Sequence, residues 1–518
     1  MEEFFGKRWP LLLVLIIFVA VKIPVLHYPF FWDESWSYAP GVRLMYDHGP
    51  SLMPNAIDTG FSRGHPLLFY ASAAAWMKLF GISHVTQHSF SLFIACLTLI
   101  LIYEACHALW GQRMAVIALL LTATQVMFFV QSTLLLPEIM VALFSIGSIY
   151  YYSRQQHIRT FLCLSALLLT KESGAAIALV IGLHAVASMF NKAIPTAEKL
   201  KRATSVGGAA LVIAIFFIIQ RRVNGWWFYP EHMSYINAGW ELFKGKLRFS
   251  AEIIFGHQYR YLFFTLLAVL SLAAAIIKKD KYLSLPAVLF VLLWVLSNEY
   301  AGYITRRLYL PFVAIAITYT FYQVNKHRKA TGQQTDFIYL SVFSLFAYLS
   351  FCCLNFFTDR YLLTALVLVL FLTAYMADTL IMVLHPLAYY TTVAAILMFA
   401  VPGFAYSNAQ GDVELQVYNS MDVQQAIVNY MEEHNLYNNK IAAPSSLTRA
   451  HLTQPYTGFL KSGKTFSGVN YIMEPTTEYF IIDNIEPDTS IHKSQLQQFN
   501  KIYSITKGEV WAEIYRHK

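Results

Sequence analysis

Leu11 to Val25 reads LLLVLIIFVAVKIPV, and shortly after it Phe31 to Tyr38 reads FWDESWSY. The first stretch is an apolar run preceded by Lys7 and Arg8 and followed by no small-x-small cleavage pattern. It therefore reads as an uncleaved first membrane span with its N-terminus in the cytoplasm. The second stretch sets an acidic pair, Asp33-Glu34, among Trp and Tyr residues at the membrane–water boundary. Carboxylates at that depth are costly unless they have a partner or a task. Further on, Arg63-Gly64-His65-Pro66-Leu67-Leu68 opens another apolar run.

Outward from this pair, apolar runs recur from residue 10 to residue 403. Hydrophobic residues make up 57% of the chain and charged residues 13%, with a mean hydropathy of +0.47. That is the composition of a polytopic α-helical membrane protein. The runs are continuous and do not alternate, which argues against a β-barrel. The net charge of +8 is what basic cytoplasmic loops produce, so no nucleic-acid partner is implied. Cys96, Cys106, Cys163, Cys352 and Cys353 all lie in or beside apolar runs. They read as packing residues, with neither a disulfide framework nor a zinc site indicated.

Basic residues sort the loops. Arg113 and the segments 154–159, 191–202, 278–281 and 325–329 carry them, and placing all five inside gives about 13 spans that start inside and end outside. These fall near 10–27, 90–109, 113–131, 137–152, 158–171, 173–190, 204–220, 259–277, 283–298, 303–323, 336–354, 360–377 and 384–403. The run from Pro66 to Gly81 is marginal for a crossing and would invert every later loop. It is expected to be a re-entrant or interfacial helix within a first outer loop of about 28–89. A second outer loop, about 221–258, is rich in aromatics such as Trp226, Trp227, Tyr229 and Trp240. It reads either as an interfacial belt or as a lid contacting lipid or sugar. Residues 1–404 thus form a transmembrane unit, and 405–518 suffice for a small α/β domain, placed outside by parity. That domain is expected to hold a helix at Val423–His434 and strands at Lys440–Ala443, Glu478–Ile482, Lys501–Ile505 and Glu509–Tyr515.

The spacing Asp33-Glu34…Tyr38…Gly49…Asp58…Gly64-His65-Pro66-Leu67…Gly81 resembles the first outer loop of the polyprenyl-phosphate-sugar glycosyltransferases of the GT-C class. These include the protein O-mannosyltransferases and the lipid A aminoarabinose transferase. Gln131-Ser132…Pro137-Glu138, Thr170-Lys171-Glu172 and Asp359-Arg360-Tyr361-Leu362-Leu363 carry the resemblance to about residue 380. It implies a multi-pass enzyme of the cell (inner) membrane whose active site and C-terminal domain are extracytoplasmic. Such an enzyme moves a hexosyl or pentosyl group from a polyprenyl-phosphate donor to a lipid, glycan or protein acceptor, with inversion.

Asp33 matches the family's catalytic aspartate and is the expected general base, the group that transfer to a hydroxyl or amine requires. The resemblance makes Glu138 a second catalytic acid that orients acceptor or sugar, although a carboxylate after Pro137 also suits a helix N-terminus. Glu34 is expected to orient a substrate or to bind Arg43. Candidates for the donor phosphate are Arg63, His65, Lys171, Arg306, Arg307 and Arg360, with Glu172 and Tyr361 beside them. Arginine offers a fork that matches phosphate oxygens, and snorkelling at a span end is the ordinary alternative for each cation. The family often has a basic residue at the position of His65, where a histidine is only partly charged near neutral pH. The sequence requires no cofactor. A divalent metal on Asp33 and Glu138 is compatible, since some relatives use one. The alternative function is a transporter or flippase of lipid-linked or small solutes, to which intramembrane charges such as Glu104 and Lys171 would be suited. It would be expected to show an inverted repeat, and none is evident.

Overall fold

The computed structural model describes residues 2–297, 309–407, 409–486 and 495–518. Among these, eight helices are long and apolar enough to cross a membrane: Arg8–Val25, His84–Trp110, Glu172–Phe190, Thr196–Asn224, His257–Lys278, Gly332–Leu354, Asp359–Val383 and Leu387–Tyr406. The other expected spans are shorter, broken or partly outside the described residues. The run 113–131 splits at Thr124 and Gln125 into Gln112–Ala123 and Val126–Gln131. Glu138–Ser153, His157–Thr170 and Leu285–Ser297 are helices of 16, 14 and 13 residues. Of the run 303–323, the described part opens the helix Tyr309–Arg328.

Burial explains which helix holds the bundle together. Leu363–Val383 is apolar on every side and buried along almost its whole length, as befits a helix surrounded by protein. Leu387–Tyr406, by contrast, leaves Tyr390, Leu397, Met398 and Val401 exposed, a face suited to lipid.

The basic segments are joined to one another. Arg113 and Arg328 both pair with the fully buried Asp378, Arg328 at 2.7 Å. Gln334 donates to the carbonyl of Leu109, and Arg154 donates to Gln333 at 3.0 Å. His157 meets Glu198 at 3.0 Å, and His327 lies 3.7 Å from Asp280. All five basic segments thus form one contiguous network. Helix direction then separates that network from Glu138, Lys171 and Arg360. Glu138 starts the helix that ends at Ser153, Lys171 follows the helix that starts at His157, and Arg360 precedes the helix that ends beyond Asp378. At 1.5 Å per residue these helices hold the two ends roughly 20–30 Å apart.

The segment 28–89 is folded rather than extended. It contains a π-helical turn at Glu34–Tyr38 and helices at Ala39–His48, Thr59–Ser62 and Leu68–Phe80. The last covers the run expected to be re-entrant or interfacial, and the next long helix starts at His84, earlier than expected. In the second loop, short helices at Pro230–Ser234 and Trp240–Phe255 carry the aromatics.

After the last long helix, Gln416–Glu433 packs beside a five-stranded sheet in the order β2-β1-β3-β5-β4. The strands are β1 (Ile441–Ala442), β2 (Val469–Asn470), β3 (Tyr479–Asp483), β4 (Phe499–Lys507) and β5 (Val510–His517). β1 runs parallel to β2 and β3, while β5 runs antiparallel to both β3 and β4. The expected helix and four strands are all present, close to their expected positions.

Candidate active site

Asp33 stands where the first long helix gives way to the π-helical turn. Trp32 just before it has φ of 54°, a left-handed conformation uncommon for a bulky residue and typical of a constrained corner. Several contacts brace that corner. Ser35 Oγ donates to the Phe30 carbonyl at 2.7 Å, and Trp36 Nε1 donates to Asp33 Oδ1 at 2.9 Å. The C-terminal region supplies more. The Phe30 amide donates to the Thr457 carbonyl at 2.8 Å, and the Phe31 ring lies 6.0 Å from His451. Tyr28 hydroxyl donates to Asp422 at 3.2 Å.

A cavity of about 400 Å³ opens beside Asp33. Arg63, His65, Lys171, Glu172, Arg360 and Tyr361 all contribute to its walls, so residues spread over more than three hundred positions converge. Its roof is the aromatic-rich loop 221–258, through Tyr229, His232, Met233, Tyr235 and Ile236. Of the two readings of that loop, the lid is the one this position favours. Gly64 explains how closely the roof sits. A Cβ there would lie 2.8 Å from the Trp226 ring and 2.9 Å from Tyr229 Cβ, and its φ of 72° also favours glycine.

Arg360 is the hub. Its Nη2 donates to Asp33, its Nη1 donates to Asp412 at 2.6 Å, and its Nε lies 3.5 Å from Glu138. Lys171 Nζ donates to Glu138 at 2.7 Å and sits 3.9 Å from the centroid of the Tyr361 ring, a cation–π distance. His65 Nδ1 and Glu172 Oε2 are 2.5 Å apart, and the His65 ring lies 4.8 Å from that of His232. Three fixed cations, Arg63, Lys171 and Arg360, therefore share the site with four acids, Asp33, Glu138, Glu172 and Asp412.

The surroundings divide the titratable groups. Burial alone would raise the Asp33 carboxyl, but the Arg360 charge and the hydrogen bonds from Arg360 and Trp36 bring it below its ordinary value. Burial raises Asp412 despite Arg360, with the charges of Asp33 and Glu138 adding to the rise. His232 is lowered to about 4 by burial and by neighbouring His65.

Two expectations need correction. Glu34 faces away from the cavity and is fully buried. It accepts from the Phe31 amide at 3.2 Å and from the Leu135 amide, with His88 Nε2 at 3.3 Å. A carboxylate facing core amides of the same chain cannot orient a substrate, and Arg43 instead pairs with Asp47. Glu138 is also buried and does not line the cavity. It sits behind Lys171 and Arg360 and pairs with both. Arg306 and Arg307 lie outside the described residues.

Sequence reasoning missed Asp412 and His232. Asp412 follows the last long helix in a short polar stretch with no distinguishing spacing, and His232 is a single histidine in a loop noted only for its aromatics. The close grouping His65, Glu172 and His232, whose ligand atoms all lie within 4.8 Å of one another, also differs from the metal pair Asp33 and Glu138 considered above.

A second, apolar cavity of about 920 Å³ lies among the helices Trp240–Phe255, Tyr261–Lys278, Leu285–Ser297, Tyr309–Arg328, Gly332–Leu354 and Leu363–Val383. Ser350 borders it and Phe351 borders the first cavity, so the two meet along one helix.

Residues 9–236 match the dolichyl-phosphate-mannose-protein mannosyltransferase family. The fold is similar to ArnT from Cupriavidus metallidurans bound to undecaprenyl phosphate, at 11% identity and a TM-score of 0.50, covering 96% of this chain and 97% of that one. The apo state of that protein is similar at 10% identity, with the same TM-score and coverage. Archaeal oligosaccharyltransferase AglB from Archaeoglobus fulgidus is matched at 13% identity and a TM-score of 0.43, over 92% of this chain and 70% of that one. No curated protein matches the chain. The chain is a multi-pass membrane protein with the GT-C fold.

Proposed function

We propose that this GT-C membrane glycosyltransferase moves a sugar from a polyprenyl-phosphate donor to a hydroxyl or amine acceptor at the extracytoplasmic face of the inner membrane, with Asp33 as general base. The observation that carries the reading is the meeting of Asp33 and Arg360, with Arg63, Lys171 and Tyr361, in one cavity roofed by the second outer loop. The donor phosphate is assigned to Arg360, Lys171 and Arg63, and its apolar tail to the 920 Å³ cavity next door.

The step is a single displacement. The acceptor oxygen or nitrogen bonds to the anomeric carbon as the bond from that carbon to the phosphate oxygen breaks, and the configuration there inverts. The acceptor proton passes to Asp33, and the polyprenyl phosphate leaves with one more negative charge than it carried as a diester. Cations already in place where that charge grows lower the barrier without reorganising. Glu138 is a positioning residue that keeps Lys171 and Arg360 aimed at the phosphate.

Donor binding would also prime the base. With Arg360 bound to Asp33, the carboxylate is stabilised and weakly basic. A phosphate that draws the Arg360 fork towards itself frees an Asp33 oxygen for the acceptor and raises its proton affinity.

Radiolabelled polyprenyl-phosphate sugars, incubated with purified protein and membrane acceptors, test the reading. Transfer of label is expected, and its absence with every donor and acceptor class would overturn it. Orientation has its own test. A reporter active only outside the cytoplasm, fused after Lys518, is expected to be active, because the site and the basic network lie at opposite helix ends. Activity of a cytoplasmic reporter at that position would reverse the assignment.

A further inference from the structure

We infer that Asp412 is a positioning residue: it anchors one arm of the Arg360 fork from outside the cavity, so that the guanidinium swings from Asp33 to the donor phosphate about a fixed point. The donor phosphate in that statement rests on the function proposed above, whereas the anchoring does not.

The fork is held unevenly. Its Nη2 donates to Asp33, and its Nη1 donates to Asp412 at 2.6 Å. Asp33 and Arg360 both line the cavity, and Asp412 does not. An anion in the cavity therefore meets the Asp33 arm and leaves the other arm alone. Arg360 Nε lies 3.5 Å from Glu138 and makes no hydrogen bond among the described residues. Once an anion displaces Asp33, the bond to Asp412 is the hydrogen bond that still fixes the guanidinium.

The backbone that carries Asp412 is clamped. Gln131 Nε2 donates to the Asp412 carbonyl at 2.6 Å, and Gln258 Nε2 donates to the Val413 carbonyl at 3.0 Å. Ser407 Oγ donates to Glu414 at 2.5 Å, across the link between Leu387–Tyr406 and Gln416–Glu433. Val413 and Glu414 are buried. Gln258 and Tyr259 stand beside this link with φ of 55° and 60°. Such left-handed values are unfavourable for these residue types and persist only where the surroundings enforce them. Two glutamines from distant segments and one strained corner thus converge on a short stretch, and that stretch reaches the site through Asp412.

Anchoring changes what binding requires. An arginine with free torsions must be ordered as it meets a phosphate, whereas an anchored one is already ordered. Charge alone predicts the opposite sign, because Asp412 is an acid near the anion and its removal would strengthen binding. One affinity measurement separates the two.

Undecaprenyl phosphate is the probe, titrated into full-length protein in detergent at neutral pH. Asp412→Ala is expected to bind it roughly tenfold more weakly than the parent. Asp33→Asn, which also removes an acid, should bind it no more weakly than the parent. Asp412→Glu keeps a carboxylate and should recover part of the loss. Asp412→Asn is nearly isosteric and keeps an acceptor for Nη1, so it carries the test if alanine impairs folding, with a smaller loss expected. In the Arg360→Ala background, Asp412→Ala should bring no further loss, because the two residues act as one unit.

Affinity in Asp412→Ala and Asp412→Asn equal to or tighter than the parent's overturns the anchor. So does a loss that repeats in full without Arg360, which would make Asp412 a support of the cavity wall, and so does a parent that binds no undecaprenyl phosphate. Protein that shows the expected order of affinities but transfers no sugar leaves the anchor standing and overturns the function proposed above.

Discussion

Asp33→Asn should lose on the order of 10²-fold or more in sugar transfer while still inserting and folding. Asparagine is nearly isosteric and still accepts the Trp36 hydrogen bond, but it cannot take the acceptor's proton. The substitution also leaves Arg360 with Asp412 and Glu138 as partners, so the buried arginine does not become an isolated charge. Donor binding is therefore expected to survive, and the loss should appear in kcat. The parent's pH profile adds a check. Because Asp33 is held below its ordinary value, it stays ionised as the pH falls through the usual aspartate range, near 3.9. Its pairing with Arg360 contributes stability above that range and loses it only as the pH falls through the lower folded value. An acid-side loss of transfer near pH 6 would thus belong to another group. Near-parental turnover by well-folded Asp33→Asn would remove Asp33 as the base.

Arg360→Ala should be the most damaging single change in stability. It leaves Asp33, Asp412 and Glu138 clustered without their shared cation, and breaking a buried ion pair in this way costs about 3–5 kcal/mol. Donor binding should also weaken by roughly ten- to a hundredfold, the equivalent of about 1.5–3 kcal/mol for a charge-assisted contact to phosphate. Arg360→Lys separates the two effects. It should recover much of the melting temperature, because the charge remains, but only part of the donor affinity, because a single ammonium cannot span Asp33, Asp412 and a phosphate as the fork can. Parental donor affinity in both variants would make Arg360 a purely structural cation.

Membrane class and helix positions were legible because apolar runs and basic loops are local, one-dimensional signals. The helix at Leu68–Phe80 was legible as an apolar run, and it is not among the eight helices long enough to cross. Asp33, His65, Lys171, Arg360 and Tyr361, marked by family spacing, and Arg63, noted as a candidate cation, do converge. What the sequence hid was direction and distance. Asp33 and Glu34 are adjacent, yet one turns to the cavity and the other to the amides of Phe31 and Leu135, a choice made by the left-handed Trp32 and the π-helical turn. Glu138 was expected at the active site from the family match, and only packing puts it behind Lys171 and Arg360. Asp412 and His232 reach the site through tertiary folding, so no local pattern marks either one.

The bond from Arg360 to Asp412 has a consequence in time. Ribosomes add about 5–20 residues per second, so the roughly 380 residues between Asp33 and Asp412 take about 20–75 s to make. Asp33 is made early, and the groups that brace its corner, at Asp422, His451 and Thr457, are made later still than Asp412. On the function proposed here, the nascent chain would therefore be catalytically silent until that region is made. The corner that holds Asp33 is completed only when this late-made region docks on the early-made one.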